Sequence, residues 1–298
     1  MFEFPVSGVE TYWWLPSLVA FAISAITATG GVTGAFILLP FQVSALGYTG
    51  PGVTPTNMAF NIIAIPSGVW RFHRDQRMVW SLAMATGLGT LPGVAIGAWI
   101  RIRYLPDPAA FKFFVGCVLL YLGARLVMDI IRKRRSVTVN NGSGPATVTD
   151  EHFSLQTITF SYGGESYAMA TKPIILFSLV FGIVGGIYGI GGGAILSPYF
   201  VSIYHLPVHS IAGAMLLGTW ITSVAGVVIF VFISPLLTGG TIIQPDWLLG
   251  LSFGLGGAFG VYTGAYLQRF VSPNIIKVIL IAALLFISVK YILGYIAP

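Results

Sequence analysis

Two glycine-rich segments, each followed by a proline, have a composition that could bind an anion through the backbone. The first is Gly30-Gly31-Val32-Thr33-Gly34 before Pro40, and the second is Gly189-Ile190-Gly191-Gly192-Gly193 before Pro198. Glycine runs interrupt an apolar helix, and a helix that restarts after them presents free backbone N–H groups and the positive end of its dipole. Such an end suits an anion. We therefore include in a predicted substrate-binding site Thr33, Gly34, Gly191, Gly192 and Gly193.

Polar side chains follow both interruptions along the chain. Gln42 follows the first, and Asn57 and Asn61 come next; because they are four residues apart, the two amides share one helix face. Thr219 and Ser223 have the same spacing in the second half. An amide is costly to bury in hydrocarbon, which favours the two asparagines as ligands. Hydroxyls in membrane helices often bond only their own backbone or a neighbouring helix, and this alternative remains open for Thr219 and Ser223.

Two titratable side chains complete the predicted site. Arg71 follows an apolar run, and its guanidinium could hold an oxyanion through two parallel hydrogen bonds. The alternative is a cation that only orients the chain in the membrane. His209 could carry a proton, although a histidine in a loop or at a helix cap is the alternative. No acidic residue lies inside a predicted span, so we expect no carboxylate relay for protons.

The composition excludes most other classes of protein. Of 298 residues, 56% are hydrophobic and only 8% are charged, whereas soluble domains have about 25% charged residues. We expect an all-α polytopic membrane protein. The chain has one cysteine, Cys117, so it forms no internal disulfide. It lacks P-loop, HExxH, GxSxG and clustered His/Cys motifs. We therefore expect no enzyme activity and no catalytic residue, metal or cofactor. Basic residues cluster at span ends, which suits lipid headgroups and not nucleic acid.

Eight apolar stretches define the predicted membrane spans. A single span needs about 20 residues, so the first and fifth stretches are too long for one simple helix. Both contain a glycine interruption, which makes each either one broken helix or a re-entrant hairpin of two short helices. The stretches are 15–47, 53–70, 80–100, 111–124, 174–204, 206–232, 247–268 and 278–296.

The two halves of the chain correspond at an offset of 158 residues. Gly31 matches Gly189, Pro40 matches Pro198, and Gly68 matches Gly226. This pattern predicts an internal duplication, with a first transmembrane repeat at 1–132, a polar linker at 133–172 and a second repeat at 173–298. The Lys/Arg bias near 71–77 and 132–135 places these residues on the cytoplasmic side. In the second half the bias nearly vanishes, so charge does not distinguish parallel from inverted repeats.

The linker alternates in polarity over 153–162, with Gly163-Gly164 after it and Glu165 to Met169 beyond. Two strands around Gly-Gly predict a small cytoplasmic β-hairpin. Such a hairpin is marginally stable alone, so we expect it to rest on the membrane domain or on a second subunit.

Both halves resemble the repeat of the TauE/SafE sulfite exporter family, the toluene-sulfonate uptake permease group. The likeness lies in the residues 189–198 and their partner ending at Pro40, in Pro66-Ser67-Gly68, in 222–226, and in the basic turn 71–80. The first repeat departs from the pattern at Thr33, where the second has Gly191, and at Thr54-Pro55-Thr56-Asn57.

The resemblance implies a multi-pass protein of the cytoplasmic membrane that exports sulfite or small organosulfonates by alternating access between two related halves. Its partners would be a small anionic sulfur substrate and membrane lipid, and a homo-oligomer is compatible with it. Three alternatives remain open: another small anion or a neutral sulfur compound as cargo, an anion channel, and, more weakly, a membrane-embedded enzyme.

Overall fold

The computed structural model describes residues 1–28, 33–133, 147–204, 206–267 and 273–296. The described residues are mainly helical, as predicted. The helices are α1 (Leu15–Ala28), α2 (Ala35–Ser44), α3 (Val53–Arg74), α4 (Trp80–Arg103), α5 (Pro108–Lys133), α6 (Thr171–Tyr188), α7 (Gly193–Ile203), α8 (Val208–Thr238), α9 (Trp247–Leu267) and α10 (Pro273–Ile296). The strands are β1 (Phe2–Phe4), β2 (Val9–Thr11), β3 (Val148–Phe153), β4 (Thr157–Tyr162) and β5 (Glu165–Ala170).

Several helices have the length and apolar composition of membrane spans. Within the described ranges, four are long and apolar enough to cross a membrane: Trp80–Arg103, Pro108–Met128, Thr171–Tyr188 and Ser210–Thr238. Shorter apolar helices cover Leu15–Ala28, Ala35–Ser44 and Leu280–Ile296. The start of α5 follows from its sequence, because Pro108 occupies the first turn and the Asp107 carboxylate accepts a hydrogen bond from the Ala110 N–H at 2.7 Å.

Glycines allow two helix pairs to pack backbone against backbone. Gly93 and Gly97 of α4 lie against the α6 backbone at Gly182 and Gly186, so these two helices run parallel. In the same way, Gly256 and Gly264 of α9 lie against the backbone of α1 at 17 and 25. A side chain at any of these glycines would overlap the neighbouring helix. These residues therefore have the packing role of small residues in membrane helices.

Two other helix pairs run antiparallel: α3 with α8 at the centre of the bundle, and α5 with α10 at its periphery. In the α3/α8 pair, Gly226 packs against the Met58 sulfur and Gly213 packs against Phe72. In the α5/α10 pair, Gly116 contacts Tyr291. Helices α3 and α8 also pack on α9 and α4, respectively. The α3/α8 crossing therefore lies at the middle of the helical bundle.

The polar linker forms a three-stranded antiparallel sheet with the order β3-β4-β5. The predicted hairpin is present, because β4 pairs with β5 and Tyr162 faces Glu165 across Gly163-Gly164. The third strand, β3, was not predicted. Apolar residues of the sheet, including Phe160, pack on the start of α4 around Val79. The sheet thus rests on the membrane domain beside the basic turn, as its low intrinsic stability requires.

The first residues form a second, unpredicted hairpin from β1 and β2. Its turn is held by the fully buried Asp246, whose Oδ2 accepts hydrogen bonds from the Ser7 N–H at 2.9 Å and from the Ser7 hydroxyl at 2.7 Å. Asp246 Oδ1 accepts from the Leu249 N–H at 3.0 Å. One carboxylate therefore caps α9 and anchors the hairpin.

Candidate functional site

The first interruption turns the chain back beside α1. Helix α1 ends at Ala28 and α2 begins at Ala35, and residues 29–32, with the predicted Gly30 and Gly31, lie outside the described ranges. A Cβ added at Gly34 would lie 3.0 Å from the Ser24 hydroxyl oxygen. Because Ser24 is inside α1, α2 starts alongside α1 and not beyond its end. The two helices form a hairpin.

The second interruption makes the same reversal with glycines in the left-handed region. Helix α6 ends at Tyr188, and Gly189 and Gly191 have φ of 86° and 70°, which other residues rarely adopt. The backbone at Gly191 packs against Gly185 of α6, so the chain doubles back before α7 begins. Of the two alternatives, broken helix and hairpin, both interruptions have the hairpin form.

The starts of α2 and α7 carry no side-chain cap. Their N-cap residues are Gly34 and Gly192. In α2 the first intrahelical bonds are donated by the N–H groups of Ile37 and Leu38, both to the Gly34 carbonyl. Helix α7 begins in the same way with bonds to the Gly192 carbonyl. In each helix, the N–H groups that precede these first donors make no bond within the helix. The positive end of the helix dipole lies at this same start of the helix.

Asn57 connects the two interruptions. Its Nδ2 donates to the Ala35 carbonyl at 3.1 Å and to the Gly189 carbonyl at 3.1 Å, and its Oδ1 accepts from Gln42 Nε2 at 3.1 Å. The amide is fully buried. Both N–H groups of Nδ2 donate, and Oδ1 accepts one hydrogen bond. A second connection joins the halves, since the Tyr188 hydroxyl donates to the Phe36 carbonyl at 2.7 Å. These bonds fix the hairpins against each other.

Asn61, one turn further along α3, has the opposite character. It is fully buried, yet neither Oδ1 nor Nδ2 has a hydrogen-bond partner within the described ranges. The same holds for Thr33 Oγ1, Ser223 Oγ and Gln42 Oε1. Each unpaired buried polar group costs about 1–3 kcal/mol. An unpaired buried polar group calls for an explanation, and a polar ligand or water that binds there is one.

The remaining predicted residues lie in different places. The Thr219 hydroxyl donates to the Met215 carbonyl at 2.9 Å within its own helix, although Thr219 contacts Gly191 and Gly193. Arg71 lies in the last turn of α3, ten residues beyond Asn61, and its Nε is paired with Asp75 at 3.2 Å. His209 belongs to α8, and its side chain lies outside the described part.

Sequence reasoning missed Arg101. It is fully buried at the end of α4, where Nε donates to Thr54 Oγ1 at 3.2 Å and Nη1 donates to the Leu105 carbonyl. The guanidinium carbon lies 3.8 Å from the centre of the Phe111 ring. Thr54 in turn donates to the Ile187 carbonyl at 3.1 Å, directly before the second interruption. Arg101 follows the predicted span 80–100, and its position beside an apolar stretch was the available signal.

Comparison with known proteins places this architecture in a family. The chain matches the model of the sulfite exporter TauE/SafE family over residues 17–291. It belongs to the TauE/SafE family. The resemblance seen in the sequence is thereby confirmed, and the protein is a membrane transporter of that family.

Two relatives from Bacillus subtilis (strain 168) are described as probable membrane transporter proteins. YunE is 22% identical over 205 residues, which cover 69% of this chain and 67% of the relative. YjnA is 21% identical over 282 residues, which cover 92% of this chain and 98% of the relative. No solved structure is significantly similar.

Proposed function

We propose that this TauE/SafE family member is a secondary transporter that exports sulfite or a small organosulfonate across the cytoplasmic membrane. The observation that carries the proposal is the junction of the two hairpins, where α2 and α7 begin without side-chain caps and Asn57 bonds to both interruptions. Free N–H groups and the positive helix ends favour a negative solute at this junction. The family's description supports sulfite as the first candidate.

The charges around the junction support an anion and not a cation as cargo. Two helix starts contribute roughly half an elementary charge each. Arg101 adds a buried cation that reaches the second interruption through Thr54. None of the predicted site residues is a carboxylate. The buried Asp246, whose N–H donates to Thr56 Oγ1, directs its carboxylate to Ser7 and to the Leu249 N–H. A sulfonate remains ionised at physiological pH, so its site must supply positive potential without relying on protonation of the substrate.

The arrangement of the helices supports an inverted duplication as the framework of transport. Within the described ranges each half has five helices, of which the second is short. The packing recurs in matched pairs: α1 on α9 and α4 on α6, then α3 on α9 and α8 on α4. The helices α3 and α8, which correspond at the offset of 158 residues, run antiparallel, as do α5 and α10. Inverted repeats produce this relation, and they are a common framework for alternating access around a site between the halves.

Transport into proteoliposomes tests the proposal. The purified protein is reconstituted, and uptake of labelled sulfite, sulfate and a series of sulfonates is measured with and without a pH gradient. Saturable counterflow of sulfite or a sulfonate is the expected result. Empty liposomes and protein inactivated by heat are the controls.

Two results would contradict the proposal in different ways. Continuous ohmic conductance without counterflow would make the protein an anion channel. Transport of a different anion, with no competition by sulfite or any sulfonate, would keep the carrier mechanism and change the cargo.

A further inference from the structure

The two asparagines of α3 have the same residue type and the same helix face but opposite surroundings. Asn57 donates to Ala35 and Gly189 and accepts from Gln42. Asn61 is equally buried and has no partner for either amide atom within the described ranges. They are four residues apart, or about 6 Å along the helix axis. A difference this large between neighbouring residues calls for different functions.

We infer that Asn61 is the amide that binds the transported solute, and that Asn57 is a positioning residue that joins the two hairpins. This inference rests on the proposed function and identifies the contact residue within it. Removing an unpaired buried amide relieves a desolvation cost, whereas removing a paired one leaves its partners unpaired. The two asparagines should therefore respond to the same substitution in opposite directions.

The position of Asn61 is suited to this role. It lies on α3 where this helix crosses α8, between the contact of Met58 with Gly226 and the hydrogen bond from Trp220 Nε1 to the Ile62 carbonyl at 3.0 Å. Ser223, on α8, lies between the same two contacts, and its hydroxyl also has no partner among the described residues. The crossing thus carries unpaired polar groups from both halves of the chain.

The chemistry of the amide narrows the class of solute. An amide Nδ2 donates two hydrogen bonds, which sulfonyl oxygens accept, and its Oδ1 accepts bonds and therefore needs a donor. Both atoms of Asn61 are unpaired. A solute that satisfies them carries oxygens and at least one O–H or N–H group. Hydrogen sulfite and aminosulfonates meet this requirement, whereas a fully deprotonated alkylsulfonate does not.

The experiment compares the same substitution at both positions. Asn57→Leu and Asn61→Leu are purified as full-length chains, and thermal unfolding is followed without solute, with hydrogen sulfite and with methanesulfonate. Methanesulfonate is the probe without a donor, because it has three acceptor oxygens and no O–H or N–H group. The single cysteine means that sulfite has no internal disulfide to cleave.

We expect Asn57→Leu to unfold several degrees below the wild type in every condition. Asn61→Leu should unfold at or above the wild-type temperature without solute. Hydrogen sulfite should stabilise the wild type more than methanesulfonate does, and this difference should vanish in Asn61→Leu. Counterflow by Asn61→Leu should fall at least tenfold while its purified yield matches the wild type.

Other results overturn the inference. An Asn61→Leu protein that unfolds as early as Asn57→Leu assigns Asn61 a structural role, and one that retains wild-type counterflow and solute stabilisation removes it from the site. Equal stabilisation of the wild type by both solutes rejects the requirement for a donor. If the wild type transports no sulfur anion, the proposed function fails, while the unfolding comparison without solute still decides between the two roles of Asn57 and Asn61.

Discussion

The two interruptions carry different residues at matched positions. The second uses left-handed glycines at 189 and 191 and presents mainly backbone. The first has Thr33 at the position matching Gly191. The amide side chains of the predicted site also lie in the first half: at the offset of 158 residues, Gln42, Asn57 and Asn61 correspond to Phe200, Met215 and Thr219. At these matched positions the first half carries three amides, whereas the second carries two apolar residues and one hydroxyl.

This difference teaches that a matched pattern of glycine and proline does not require matched chemistry. In the first half, Asn57 bonds to the interruptions of both hairpins. In the second half, the Thr219 hydroxyl is used within α8 itself. We therefore expect substitutions in the second interruption to act through backbone conformation, and substitutions in the first to act through single hydrogen bonds.

The largest effect should come from giving the second interruption the residue of the first. Gly191→Thr places a β-branched side chain at φ 70°, with its Cβ 2.7 Å from Thr219 Cγ2. Strain and overlap together should cost about 3 kcal/mol or more. Chemical unfolding in detergent measures this loss.

The matched control for Gly191→Thr is Gly87→Ala. Its added Cβ would lie 3.6 Å from Ile221 Cδ1, an ordinary contact. Because alanine favours helix over glycine, stability should be unchanged or rise by about 0.5–1 kcal/mol. If Gly191→Thr is as stable as this control, the left-handed backbone is not what forms the second hairpin.

Arg101→Lys tests the link between the first half and the end of α6. An ammonium cannot reproduce the fork that bonds both Thr54 and the Leu105 carbonyl, so a loss of about 2 kcal/mol is expected. Arg103→Lys, at an exposed position two residues away, is the control and should change stability by less than about 0.5 kcal/mol. Equal stability of both variants would show that the guanidinium bonds are not needed.

Gln42→Leu removes the donor that serves Asn57 Oδ1. Because the same substitution removes the unpaired Gln42 Oε1, part of the loss is recovered, and the net cost should be about 1 kcal/mol. Urea or thermal unfolding of the purified variant measures it. A loss as large as that of Gly191→Thr would mean that side chains and backbone contribute equally to the junction.

The smallest effect is expected for Thr33→Val. Its hydroxyl has no partner within the described ranges, so replacing it with a methyl group should change stability by less than about 0.5 kcal/mol, in the stabilising direction if at all. Thr54→Val is the control with equal burial, and its hydroxyl is bonded to Ile187 and Arg101. We expect it to lose about 1–2 kcal/mol. If Thr33→Val lost more stability than Thr54→Val, the hydrogen-bond partners assigned to these two hydroxyls would be wrong.

Much of the fold follows from local signals in the chain. The end of α6 at Tyr188 is set by the glycine that follows it, and the β4/β5 turn is set by Gly163-Gly164. The choice between a broken helix and a hairpin was not accessible, because packing between Gly185 and Gly191 decides it. The strand β3 was also missed, since its edge position and exposed residues give a weak pattern.

The site was predictable by residue type but not by role. Asn57 and Asn61 look alike in the sequence. They differ because Asn57 donates to the carbonyls of Ala35 and Gly189, which are 22 and 132 residues away from it. Such long-range partners leave no periodic signal. Arg71 and Arg101 both flank apolar stretches, and only the fold determines that the first pairs with Asp75 and the second is buried near the interruption.

The linker sheet has a mechanical consequence for the membrane domain. Strand β5 ends at Ala170, the N-cap of α6, and the first residue of that helix, Thr171, is bonded through its N–H and hydroxyl to Gln156 and Ser154. The sheet also packs on the start of α4. The sheet therefore contacts the first residues of both α4 and α6, and we expect it to restrain movement of these two helices relative to each other.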